Sequence, residues 1–320
     1  MRLSSVAACL VLGMVLPLHA QHYPTKPVKI IVPFPAGGPT DLLARLVGQK
    51  LTEVWGQQVV IDNRPGGGGI IGGQLGAKSP PDGYTVYLGG VTTLVVSTYT
   101  HKNRPYDDRR DFHPVTLATQ QPLLLMVHPA VPVRSLKDYI ALAQKRPGEI
   151  NYASSGPGGS GHLAGELLQN MTGIRIVHVP YRGQPPAMND LIAGQVQSLF
   201  GSPLAMTAHI RSGKVRALAI TGEKRSLAVP GIPTFAEAGL PGFDAGTWNG
   251  FMVPTGTPRA IIERLHGEIV KILRAPATVE RLAVDGSIAI GNTPEEYAAF
   301  LAAEHAKWSK VVREGNIRVE

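Results

Sequence analysis

The sequence predicts an α/β protein of two lobes. Three observations carry that expectation. Short apolar runs alternate with amphipathic stretches along the chain, the rhythm of parallel βαβ units. The chain has 320 residues, enough for about two domains. A strand, a glycine-rich turn and a helix recur in that order, and the copy at NYASSGPGGSGHLAGELL lies about 120 residues after the copy at PFPAGGPTDLLARL.

The elements follow in order. Residues 1–20 stand apart: Met1-Arg2 is a positive start, Val6–Leu18 an apolar run too short to span a bilayer, and Leu18-His19-Ala20 an approximate cleavage site. They are expected to be a signal peptide cut near Ala20, with a mature start at Gln21. Cys9 lies inside the run without a lipidation context, so the mature chain has no cysteine, which excludes disulfides and thiol catalysis.

Strands are expected at 28–34, 57–63, 84–90, 122–129, 150–154, 174–181, 196–200, 215–221 and 250–254. Helix starts are marked at Ser135 through Asp138 by a capping-box pattern, and at Thr257-Pro258 and Thr293-Pro294 by a cap residue before an N1 proline. Gly315 reads as a helix stop. The chain is expected to pass from lobe one to lobe two near Thr119–Met126 and to return within Thr221–Val253. Lobe one is assigned residues 21–124 and 225–320, with the C-terminal helix free to pack across both lobes, and lobe two residues 125–224.

Composition narrows the function. Removing Arg2 with the signal leaves 30 basic residues against 23 acidic, a balance of +7. The basic residues are scattered and aromatics are only 6%, so the clustered footprint of a nucleic-acid binder is missing. No P-loop or G-x-S-x-G is present. Gly156 to Gly161 formally reads G-x-G-x-x-G, but the acid a dinucleotide site needs about twenty residues on is absent from His178–Gly183. No two histidines of the mature chain lie within four residues, so neither a metal nor a cofactor is expected.

The loop at Pro35–Asp41 holds no Lys, Arg, His, Cys or Ser. Its working part can be the backbone: a helix N-terminus offers unpaired N–H groups and a partial positive charge, and glycines let an anion approach. The dipole contributes roughly 0.3–1 kcal/mol when exposed and up to about 2 when partly buried, so one loop binds weakly and two closing together bind usefully. The competing reading is that these loops are plain connectors. Asp41 would repel an anion and serves equally as a first-turn residue favourable to the dipole. Arg182 could present a carboxylate-binding fork or simply face solvent. Trp248 is expected to pack at the hinge rather than touch ligand.

Read in order, PVKIIVPFPAGGPTDLLAR, VVIDNRPGGGGIIGG, PPDGYTVYLG, YDDRRDFHPV, NYASSGPGGSGHLAGELL, HVPYRGQPPAMNDLIAGQV, VPGIPTFAEAGLPGF and WNGFMVPTGTP resemble the Bug-type solute-binding proteins of tripartite tricarboxylate transporters over essentially the whole mature chain. The resemblance implies a two-lobed periplasmic-binding-protein (Venus-flytrap) fold, each lobe a mainly parallel sheet flanked by helices. It implies a periplasmic, monomeric, non-catalytic protein that delivers a small organic carboxylate to a membrane permease. A ligand-loaded sensor and an exported enzyme are the alternatives. Carried over, the ligand residues are Phe34, Ala36, Gly37, Gly38, Thr40 and Asp41 in lobe one and Ser154, Ser155, Gly158, Gly159, Ser160 and His162 in lobe two, with Val91, Thr92, Tyr181, Arg182 and Gly201 along the cleft. Relatives commonly carry an acid near Gly201; its absence points away from amino acids. Arg182 stands where Lys is common, which suits a second carboxylate.

Overall fold

The computed structural model describes residues 23–317 apart from 223, 227, 285 and 316. The expected signal peptide lies outside the described residues.

Along the chain, lobe one begins with β1 (Val28–Val32), α1 (Pro39–Trp55), β2 (Val59–Asn63), α2 (Ile70–Ala77) and β3 (Thr85–Gly90). A π-helical segment, Val91–Val96, follows and runs into α3 (Ser97–Thr100); α4 (Asp108–Asp111) and β4 (Phe112–Gln121) complete this half. Lobe two contains β5 (Leu124–Val127), α5 (Leu136–Lys145), β6 (Asn151–Ser154), α6 (Ser160–Thr172), β7 (Val177–Pro180), α7 (Gln184–Ile192), β8 (Ser198–Gly201), α8 (Pro203–Arg211) and β9 (Arg216–Ile220). The chain returns through β10 (Thr247–Pro254), α9 (Arg259–Arg274), α10 (Pro276–Ala283), β11 (Ile288–Ala289) and α11 (Pro294–Glu314).

Two sheets result, in the orders β11-β4-β10-β3-β1-β2 and β7-β6-β8-β5-β9. Both are mixed. Parallel pairing joins β1 to β2 and β3, and β6 to β7 and β8. The strands at the crossings, β10 and β5, pair antiparallel on both sides. The expectation of mainly parallel sheets therefore holds for the βαβ half of each lobe, because only there does a helix carry the chain back before the next strand. β4 was not expected as a strand: Pro114 and its Thr and Gln residues mask it.

Alternation along the strands builds three layers of core. Val28, Ile30 and Val32 face one side with Leu43, Val47, Phe251, Leu265 and Ile269, while Ile31 faces the other. In lobe two, Leu124 and Met126 pack with Leu191 and Met206, and Leu125 and Val127 point oppositely. The latter layer is continuous between the lobes: it joins Leu125 and Tyr139 to Tyr87 and Val95 through Phe243, Trp248 and Trp308. Each fully buried side chain of this size contributes about 1.5–3 kcal/mol.

The two lobes are tied at their crossings. Leu123 N–H donates to Thr221 Oγ1 at 2.9 Å, and Thr221 N–H donates back to Leu123 O at 2.8 Å. Thr247 at the start of β10 sits opposite Gln121 at the end of β4. Helix α11 starts at the expected Thr293 cap with Pro294 at N1, and a capping box is added there, in which Thr293 and Glu296 satisfy each other's backbone N–H groups. It packs on β4 and the π-helical segment in lobe one and on α6 in lobe two. Gly315 is its C-cap. α5 starts at the expected Ser135 cap, whereas α9 begins one residue later than expected, with Pro258 as its cap.

Candidate functional site

Where the two sheets meet, a cavity of about 490 Å³ is lined from three sides. Lobe one supplies Phe34, Pro35, Ala36, Gly38, Pro39 and Thr40 ahead of α1, and Gly90, Val91 and Thr92 at the π-helical start; lobe two supplies Ser155, Gly159 and Ser160 ahead of α6. Gln121, Thr247, Trp248 and Asn249 come from the crossing strands. No lining side chain is charged. Three helix starts, each with a glycine cap in extended conformation, open on this space: Gly38, Gly90 and Gly159. The caps use no side chain, so backbone donors of the first turns remain for a ligand.

The first loop is held from behind by Asp41, which is buried. Its Oδ2 accepts from Gly37 N–H and Arg45 Nε, both at 2.8 Å, and its Oδ1 accepts from Asn63 Nδ2 at 2.9 Å. The same Asn63 amide reaches Phe34 O at 3.1 Å. Burial alone would raise the Asp41 carboxyl, but the bonds from Arg45, Gly37 and Asn63 outweigh it and hold it below the usual range. Its charge is therefore spent inside the turn. Asp41 and Gly37, expected at the ligand, are not among the residues lining the cavity: Asp41 shapes the loop through these bonds, and Gly37, at φ +86°, serves the same turn through its N–H.

The second loop is built differently. Ser154 is buried and its Oγ accepts from Gly156 N–H at 3.1 Å; Gly158 N–H donates to Nδ1 of His162 at 3.0 Å. Ser154, Gly158 and His162, expected at the ligand, thus lie beneath the loop that Ser155, Gly159 and Ser160 present. Tyr181 N–H and Gly183 N–H bond to Ser154 O and Ser155 O, so the Tyr181–Gly183 turn braces the loop from outside the cleft walls. The Tyr181 hydroxyl donates to Asp190 Oδ2 at 2.7 Å, and Arg182 is exposed. Gly201 is buried at the end of β8, where an added Cβ would meet the Gln184 amide at 3.0 Å. Neither Tyr181, Arg182 nor Gly201 is among the cleft walls.

The side-chain hydrogen-bonders that sequence reasoning did not assign come from the crossings; Pro35, Pro39 and Gly90, also unassigned, flank the assigned loop residues. Gln121, Thr247 and Asn249 are neutral hydrogen-bonders on strands whose sequence shows only alternation. Trp248 packs at the hinge as expected, and it lines the cleft as well; its indole N–H donates to Glu304 Oε2 at 2.7 Å. The middle glycine loop, Gly66–Gly69, does not reach the cleft. Its helix packs on β1 so closely that a Cβ at Gly72 would lie 2.8 Å from Pro33 Cα.

A larger cavity of about 580 Å³ shares Gln121, Thr247 and Trp248 and is otherwise lined by residues such as Phe243, Phe300, Glu304 and Lys307. None of the three glycine-capped helix starts opens on it, and Lys307 is paired with Asp244 and Glu304. Among the described residues no group of three His, Asp or Glu is placed to hold a metal ion, and no helix is long and apolar enough to cross a membrane.

Residues 43–317 match the family described as the tripartite tricarboxylate transporter family receptor. The chain is 40% identical over 309 residues to protein BugT of Bordetella pertussis, covering 96% of this chain and 95% of that protein. Among solved structures it is similar to Rpa4515 of R. palustris with adipate, at 37% identity and a TM-score of 0.78 over 92% of this chain and 99% of that one. MatC from Rhodopseudomonas palustris with bound malate gives 31% identity and a TM-score of 0.74 over 91% and 100%.

Proposed function

The chain belongs to the tripartite tricarboxylate transporter receptor family, and from that premise we propose that it captures a small organic carboxylate in the cleft between its lobes. The protein is exported, its signal cut near Ala20, and hands its cargo to a membrane permease of the tripartite tricarboxylate type without chemical turnover. Lobe one spans residues 21–124 and 225–320, lobe two residues 125–224. The relatives with adipate and with malate support a carboxylate as the ligand class.

The observation that carries the reading is the convergence of three helix N-termini on one cavity with uncharged walls. A carboxylate entering it meets the first-turn N–H groups of α1 and α6 from opposite lobes, and closure removes water from both. Phe34, Val91 and Trp248 give an apolar wall for the carbon chain; Gln121, Thr247 and Asn249 offer neutral hydrogen bonds to its far end. No acid lines the cleft to pair with an ammonium group, so amino acids are disfavoured.

A thermal-shift titration with adipate, malate and other small carboxylates against their amides tests this. A ligand at a thousandfold excess over its dissociation constant adds about 4 kcal/mol, a shift of several degrees. Stabilisation by an acid and not by its amide is expected. Stabilisation by neutral or cationic solutes alone would remove the carboxylate clamp.

A further inference from the structure

Two imidazoles lie face to face beneath the second glycine loop. His162, in the first turn of α6, and His178, on β7, have ring centroids 3.8 Å apart and planes within 5°. Each ring commits one nitrogen to the loop or the strand that feeds it. Gly158 N–H donates to His162 Nδ1 at 3.0 Å, and Ser154 Oγ lies 2.6 Å from His178 Nε2. A nitrogen that accepts a hydrogen bond carries no proton, so the loop selects the neutral His162 ring with its hydrogen on Nε2.

We infer that His162 and His178 are positioning residues that form an acid-sensitive latch: neutral His162 holds Gly158 in the gripping geometry while His178 stacks on it and bonds Ser154, and protonation of the pair releases the loop. A proton on His162 Nδ1 would confront the Gly158 N–H, leaving two donors and no acceptor. Two cationic rings at this spacing would repel each other, at the end of α6 where the dipole is also positive.

The surroundings supply little counter-charge. Glu166, on α6, has Oε1 3.8 Å from His162 Nε2, but that oxygen accepts from Tyr152 of β6 at 2.8 Å and from Gln169 at 2.9 Å, and burial raises the carboxyl's own proton affinity. β8 carries no titratable group, and α11 approaches Glu166 at Gly315. Burial pushes both imidazoles down to about 4, and for His178 the neighbouring His162 adds to it. The pair therefore stays neutral at pH 7.

Imidazole ¹⁵N and amide NMR of the ligand-free protein from pH 7 to pH 3 tests the latch directly. The expected result is an unprotonated His162 Nδ1 at pH 7, titration of both rings well below 6.5, and a Gly158 amide resonance that moves with the same midpoint. A His162 that titrates near 6.5, a protonated Nδ1 at pH 7, or an unmoved Gly158 amide would overturn it.

The ligand readout rests on the proposed carboxylate site and uses adipate as probe. His162→Asn retains an acceptor oxygen and cannot titrate. The loss of adipate affinity between pH 7 and pH 3.5 should be roughly tenfold larger for the wild type than for this variant, because protonation of adipate itself is common to both. Equal losses would refute the latch. If adipate binds neither protein at pH 7, adipate recognition fails while the NMR titration still decides the latch.

Discussion

The hydroxyl of Thr40, in the first turn of α1, donates to Oδ1 of Asn249 on β10 at 3.0 Å. This bond, between residues 209 positions apart, fixes the first glycine loop to the strand on which the chain returns from lobe two. Thr40→Val removes the donor and keeps the shape. It should cost about 1 kcal/mol in unfolding free energy and weaken adipate binding several-fold, read by chemical denaturation and calorimetry. Unchanged affinity would mean that Asn249 orients nothing the ligand uses.

Asp41→Asn is expected to loosen the same loop from behind. It removes the charge that Arg45 pairs with and weakens the acceptor for Gly37, at about 1–3 kcal/mol. The folded-state carboxyl titrates below its ordinary 3.8, so its contribution is fully present above that value and is lost as pH falls below it. The variant should show a smaller stability loss than the wild type in that acid range, measured by thermal melts.

Gly38 has φ −78°, and a Cβ there would meet only Pro35 O at 3.6 Å. Gly38→Val should therefore leave the melting temperature within a degree or two while filling the cleft mouth. Adipate affinity should fall at least tenfold, an effect of about 1.4 kcal/mol or more. A large fall in stability instead would show that this glycine serves the turn.

Glu304 Oε2 accepts from the indole N–H of Trp248 at 2.7 Å and from that of Trp308 at 2.9 Å, and the carboxylate pairs with Lys307. Glu304→Ala would leave two buried donors unsatisfied in the layer joining the lobes. A cost of about 2–5 kcal/mol is expected, with a Tm lowered by several degrees. Glu304→Gln, which keeps an acceptor, should cost less.

Overall stability should fall on mild acidification. His162 and His178 have folded-state values of about 4 against an ordinary 6.5. Between those limits the unfolded chain binds protons that the folded chain does not, so stability is lost as pH falls from 6.5 to 4 and is unaffected by these groups above 6.5. Thermal melts over that window, compared with His162→Asn, should show a shallower slope in the variant.

The sequence determined most of the strands and most of the residues that line the cleft. Nine of its strands stand close to where alternation and apolar runs put them, and Phe34, Ala36, Gly38, Thr40, Val91, Thr92, Ser155, Gly159 and Ser160 reach the cleft. Glycine turns between strands and helices are local signals, because their φ angles and free N–H groups depend on neighbours in sequence. Tertiary structure alone decided which polar groups face the cleft and which face the scaffold. Asp41, Ser154, Gly158 and His162 share the loops with the cleft-lining residues, yet each turns inward because Asn63, His178 and the loop's own amides lie there. Gln121 and Asn249 become cleft residues only because antiparallel pairing brings β4 and β10 together at the hinge. The loop amides are local, but Asn63 and His178 lie more than twenty residues from Asp41 and Ser154 and β10 lies over a hundred from β4, and no local pattern specifies the direction of a side chain whose partner is brought by the fold.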